Sequence, residues 1–131
     1  MNATKDIQSI GDIQLLVDNF YTAVRGNELL GPIFNQRIGD RWPEHLEKMY
    51  RFWQTVLLEE HTYLGSPFPP HAQLPVEQLH FDTWLQLWYG TIDLHFKGKK
   101  ADEAKWRGDK MAAMFLHKIS YYRDTNARPL I

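Results

Sequence analysis

The chain has 131 residues, 44% hydrophobic and 24% charged, a size and balance that fit one domain spanning 1–131 and exclude intrinsic disorder. Fifteen basic residues against 16 acidic ones leave a net charge of -1, so no general field draws in nucleic acid. There are no cysteines, which removes disulfides, iron–sulfur clusters, thiolate ligation of iron and thiol catalysis together.

The first six residues carry neither an apolar stretch nor a cleavage pattern. No apolar run approaches the roughly 20 residues that span a bilayer. A cytoplasmic protein with no membrane partner is expected. The first periodic segment runs from about Ser9 to Gly26, with Ile10, Ile13, Leu16, Val17, Phe20, Tyr21 and Val24 at helical spacing. Ser9 and Asp12 form a capping-box pattern, and Gly26-Asn27 suit the helix end. Glu28 to Phe34 contains Gly31-Pro32 and four large apolar residues, which predicts a short, tight, buried connection.

Asp40 to Glu60 reads as the second long helix, capped by Asp40 with Pro43 in its first turn. Its inner face is His45, Met49, Phe52, Trp53, Val56 and Leu57. From His61 to Pro75, one glycine and four prolines exclude a long helix, and His71 sits just after Pro69-Pro70. A loop of this length inside a small domain is often functional. The third long helix is expected from Pro75 or Val76 to Phe96, with Leu79, Phe81, Trp84, Leu85, Trp88, Ile92 and Phe96 as apolar positions. The fourth runs from Ala101 to about Asp124, with Trp106, Met111, Met114, Phe115, Ile119 and Tyr122 inward. No segment alternates with the period of a strand, so the fold class is all-α with about four main helices.

Aromatic residues make up 14% of the chain and six histidines accompany them. Such a set serves either as core or as the lining of a pocket for a large flat ligand. The histidines do not form a zinc-protease pattern. One E-x-x-H, Glu77 to His80, falls short of the paired motifs of a di-iron bundle. His61, His80, His95 and His117 read as ordinary surface or satisfied core residues. His71, by contrast, has Tyr21 and His45 on inward helix faces and Phe34 in the tight connection as company.

Taken in order and spacing, N-F-Y-T-A-V-R (19–25), G-P-I-F-N (31–35), R-W-P-E-H-L-E-K-M-Y-R-F-W (41–53), P-F-P-P-H-A-Q-L-P (67–75) and H-F-D-T-W-L-Q-L-W (80–88) resemble the bacterial group III truncated haemoglobins. The resemblance covers the chain from about Ser9 to about Met114. It implies a truncated globin fold, a 2-over-2 helical sandwich around haem b (iron protoporphyrin IX). His71 matches the proximal ligand to the iron. Tyr21 matches the tyrosine that points at the bound gas, His45 the distal helix position, and Trp84 the distal tryptophan. Phe34 matches the aromatic wedged against the porphyrin, while Met49, Phe52, Phe81 and Trp88 would line the pocket. Lys48, beside Met49, could reach a haem propionate. The single Gly65 before Ser66-Pro67, where other truncated groups carry paired glycines, fits group III.

The implied ligands are O2, NO, CO or peroxide. Two donors, Tyr21 and Trp84, favour tight retention of dioxygen and its reaction, for example with nitric oxide, over delivery. Peroxidase-like chemistry with His45 as general base is the alternative. A gas sensor without turnover and a haem-free helical interaction domain also remain open. The residues show no reductase domain, so turnover would draw on an external reductant.

Overall fold

The structure, a computed structural model, describes residues 5–63 and 75–124, with backbone alone for 122–124. Five helices run through them: α1 (Ile10–Gly26), α2 (Gly31–Ile38), α3 (Trp42–Leu58), α4 (Gln78–His95) and α5 (Lys99–Asp124). The expected all-α class holds. The proline-rich stretch 64–74, with His71, lies outside the described residues.

α1 begins as its sequence dictates. The Asp12 N–H donates to Ser9 Oγ at 3.3 Å, and the Ser9 N–H returns a bond to Asp12 Oδ2 at 3.2 Å. Burial works against the Asp12 carboxylate. The Lys5 ammonium, 2.8 Å away, and the Gln8 and Ser9 N–H groups outweigh it and hold its pKa below the usual carboxylate value. The inward face carries Ile13, Leu16, Val17 and Val24, each 0% exposed, with Phe20 beside them. Burying a side chain of this kind contributes about 1.5–3 kcal/mol.

The segment expected to be a short, tight connection leads into a helix, α2. Asn27 Oδ1 accepts from the N–H groups of Leu29 and Leu30, both at 2.9 Å, and folds the chain back. Pro32 then starts α2 instead of breaking it, because a first-turn N–H needs no partner within the helix. A Cβ at Gly31 would sit 2.6 Å from the Arg25 carbonyl oxygen, so glycine is what lets α2 start against the end of α1. α3 begins at Trp42 with Pro43 in its first turn as expected, but Arg41 and not Asp40 occupies the capping position.

α1 pairs with α3, α4 pairs with α5, and α1 lies on α4, in keeping with the 2-over-2 helical arrangement that the resemblance implies. Tyr50 of α3 donates to Asp18 of α1, and Lys105 of α5 pairs with Asp93 of α4. Two apolar faces differ from expectation. Leu79 of α4 is exposed, as are Trp106 and Met114 of α5. Phe115 and Ile119 are buried as expected, and the rest of the inward side of α5 is Ala101, Ala104, Gly108 and Ala112, small residues at helical spacing. The start of α5 is held from far away in sequence: the Lys100 and Ala101 N–H groups donate to the Asp6 carboxylate at 2.9 and 2.8 Å. Gly98, at φ +144°, turns the chain so closely over Asp6 that a Cβ there would lie 2.5 Å from its Cγ.

Among the described residues, no helix is long and apolar enough to cross a membrane.

Candidate functional site

A cavity of about 810 Å³ opens among the five helices. That lies in the roughly 300–1,000 Å³ range of ligand and cofactor pockets. A water molecule, by comparison, takes about 30 Å³. Phe20 and Tyr21 come to its wall from α1, Phe34 from α2, and His45, Met49, Phe52 and Trp53 from α3. Phe81 and Trp84 come from α4, with Met111 and Phe115 from α5. The wall is apolar and mostly aromatic. Its lip is charged, with Arg37, Arg41, Lys48 and Arg51 set against Glu44 and Glu47, all of them exposed. Arg51 is engaged by Glu47 at 2.8 Å.

Tyr21 and His45 meet in this wall. Their rings are 5.1 Å apart and nearly perpendicular. Trp42 backs them both, 5.7 Å from Tyr21 and 5.5 Å from His45, and the Arg25 guanidinium lies over the Trp42 ring at 4.5 Å. Phe34 stands 6.3 Å from Tyr21. Burial alone pushes the Tyr21 phenol pKa well up, so the hydroxyl keeps its proton and has one hydrogen to donate. His45 carries a buried Nε2 in the same cluster.

Trp84 joins the cluster through Phe20, whose ring is edge-on to Tyr21 at 4.9 Å and to Trp84 at 5.3 Å. Behind Trp84 stands Trp88, parallel to it within 17° at 6.0 Å. Trp88 is 0% exposed and does not face the cavity. The expectation that it lines the pocket is therefore corrected: one turn along α4 from Trp84, it points into the interface with α5, where its Nε1–H donates to the Ala104 carbonyl at 2.9 Å.

Of the other expected residues, Phe34, Met49, Phe52 and Phe81 all reach the wall, and Lys48 reaches the lip. His71 lies outside the described residues. Phe20, Trp53, Met111, Phe115 and His80 are among the wall residues that escape the sequence reading as pocket groups. The helical periodicity that buries the first four does not distinguish a core from a cavity wall. His80 is more instructive. Its Nδ1 accepts the Glu77 N–H at 3.0 Å, so the E-x-x-H pair builds the start of α4. An accepting Nδ1 places the proton of the neutral ring on Nε2, which makes His80 a donor and not a metal ligand. Among the described residues, no cluster of three or more His, Cys, Asp or Glu could hold a metal ion directly.

A flat apolar macrocycle with carboxylate arms fits this set of residues. Aromatic and thioether faces suit its ring, and a lip with more cations than anions suits the carboxylates. The buried, protonated Tyr21 adds a polar point to a mostly apolar wall.

No protein-family model matches the chain. It is 33% identical over 114 residues to the group 3 truncated hemoglobin of Campylobacter jejuni, covering 84% of this chain and 90% of that relative. The crystal structure of a group III truncated hemoglobin from Campylobacter jejuni superimposes with a TM-score of 0.81 at 31% identity, covering 88% of this chain and 95% of that one.

Proposed function

The chain belongs to the group 3 truncated haemoglobins, a membership that implies a haem cofactor and diatomic gas ligands, and from that premise we propose that it retains dioxygen for reaction rather than delivery. Haem, when bound, supplies an iron with an open position for a small ligand. In this reading the cavity is the haem site, within a single globin domain spanning 1–131. His71 would hold the iron, Phe34, Met49, Phe52 and Phe81 would pack against the ring, and Lys48 would pair with a propionate. Tyr21 and Trp84 would donate to the bound gas.

The observation that carries this reading is the buried Tyr21 phenol in the cavity wall, held neutral by its surroundings. A donor already stripped of water loses little on meeting a ligand. A hydrogen bond to an acceptor that gathers negative charge contributes about 1.5–3 kcal/mol. Dioxygen gathers such charge and carbon monoxide much less, so the two donors discriminate between them. Long retention suits conversion of dioxygen, nitric oxide and one electron from an external reductant to nitrate.

A second reading has its own support. His45 shares the cavity with Tyr21, and an imidazole there can take a proton from hydrogen peroxide.

The test is optical. The purified protein should show a Soret band that shifts on reduction and again with carbon monoxide. A colourless protein that takes up no hemin would end the haem reading. In stopped flow, Tyr21→Phe and Trp84→Phe should each speed dioxygen dissociation by roughly 10- to 100-fold. Unchanged rates in both would remove the donor assignment. His45→Leu should lower peroxide reactivity more than dioxygen retention if the second reading applies.

A further inference from the structure

Among the described residues, Trp84 is held by the rings around it rather than by a hydrogen bond of its own. Its ring stacks on Trp88 at 6.0 Å, with 17° between the planes. Trp88 stacks in turn on Trp53 of α3 at 4.6 Å and 26°. Phe20 stands edge-on to both Trp84 and Trp88, at 5.3 and 4.9 Å. The middle indole is fixed twice by α5. Its Nε1–H is bonded to the Ala104 carbonyl at 2.9 Å. At Gly108 the α5 backbone comes so near that a Cβ would lie 2.7 Å from Trp88 Cδ1 and Nε1, and 3.5 Å from Trp84 Cζ3. One glycine therefore lets α5 press on two indoles at once.

We propose that Trp88, anchored by the Ala104 carbonyl and the missing side chain of Gly108, is a positioning residue that sets the angle of the Trp84 indole in the cavity and thereby the rate at which ligand leaves. This rests on the reading of Trp84 as a ligand donor. A hydrogen bond is directional and weakens steeply off axis, so a small tilt of Trp84 is felt at the ligand. Nearly parallel rings in a close-packed interior transmit tilt, because one cannot lean without displacing the other.

The experiment uses the haem-loaded protein and places Trp88→Phe and Gly108→Ala in two backgrounds, unaltered and Trp84→Phe. Dioxygen dissociation and the C–O stretching frequency of the carbon monoxide form are read in each. With Trp84 present, both substitutions should speed dissociation roughly three- to tenfold, part of what one charged-acceptor hydrogen bond carries, and shift the stretch. With Trp84 already Phe, both effects should disappear, since coupled positions are not additive. Equal effects in the two backgrounds, or none in either, would overturn the proposal. A structural loss alone would not depend on the Trp84 background.

The far-ultraviolet exciton couplet of the stacked indoles separates this inference from the reading beneath it. It is read in the haem-free protein as well. Trp88→Phe should abolish the couplet, as the middle ring is lost, while Trp84→Phe should only diminish it. If Trp84→Phe leaves dissociation unchanged but the couplet behaves this way, the stack stands and the donor role falls. If the couplet survives Trp88→Phe, the stack itself is refuted. Gly108→Ala adds a single methyl and keeps the test open should Trp88→Phe not fold.

Discussion

α1 and α5 both bury one face against α4, and they do it with opposite materials. α1 uses bulk: Ile13, Leu16, Val17, Phe20 and Val24 fill the space between α3 and α4. α5 uses the absence of bulk. Ala101, Ala104 and Gly108 let its backbone approach until a carbonyl reaches the Trp88 indole. The large side chains at that interface belong to α4. Stability in the first case lies in transferred apolar area, and in the second in closeness of fit.

The comparison is broken most strongly at α1. Leu16→Ala removes a fully buried side chain and should cost about 2–5 kcal/mol in urea unfolding, because the surrounding helices cannot close on the gap. A loss below about 1 kcal/mol would mean that α1 is loosely packed and that the contrast is false.

This contrast also explains what can be read from sequence. The α1 face is legible to the residue, cap included, because Ser9, Asp12 and the apolar spacing are local signals. The inward face of α5 is legible only at Phe115 and Ile119. Alanine and glycine carry no hydrophobic signal, so along the rest of the helix the pattern points Trp106 and Met114 inward, and they lie exposed instead. α2 is hidden because Gly31-Pro32 reads as a break, whereas Pro32 sits where a helix starts. At the cavity, Tyr21, Phe34, His45, Met49, Phe52, Phe81 and Trp84 all reach the wall. Their spacing alone gives only an apolar stripe, and it is the family pattern that marks them as a site. Trp88 misleads for the same reason: one turn from Trp84, it shares the stripe but turns toward Ala104.

The next effect in size tests the long-range hold on α5. Asp6 is a capping residue 94 positions from its partner, a tie no local pattern announces. Asp6→Ala should cost about 1–2 kcal/mol at neutral pH, as lost caps do. Partial burial opposes the Asp6 charge, but the Lys100, Ala101 and Ile7 N–H groups prevail and lower its pKa below 3.8. A carboxylate with a depressed pKa stabilises above its unfolded value and loses that contribution as pH falls through the folded one. The gap between Asp6→Ala and the unaltered protein should therefore be full at pH 7 and shrink below about pH 4. A gap independent of pH would show that the carboxylate charge plays no part.

Two glycines sharpen the contrast further, because the same change should have opposite signs. Gly90 sits inside α4 with nothing within 4 Å of the place a methyl would take, so Gly90→Ala should raise stability by about 0.5–1 kcal/mol through helix propensity. Gly108→Ala gains the same propensity but drives a methyl into Trp88 at 2.7 Å, against a rigid ring. Overpacking of this kind costs about 1–3 kcal/mol, which outweighs the gain. Thermal unfolding of the two variants side by side checks the sign. A stabilised Gly108→Ala would mean that the α5 approach is not close.

The smallest effect belongs to the outer side of α5. Trp106 is a large aromatic on the same helix as Gly108, yet 54% of it is exposed. Its ring is covered by Arg107 at 5.4 Å and Lys110 at 5.8 Å, cation–π contacts worth about 0.5–1 kcal/mol where solvent reaches them. Trp106→Gln keeps a helix-forming residue in place and should change stability by no more than about 1 kcal/mol. Size would make Trp106 the most costly α5 residue to lose and Gly108 the least. Closeness of fit ranks them the other way, and the order of the two unfolding midpoints decides between these rules.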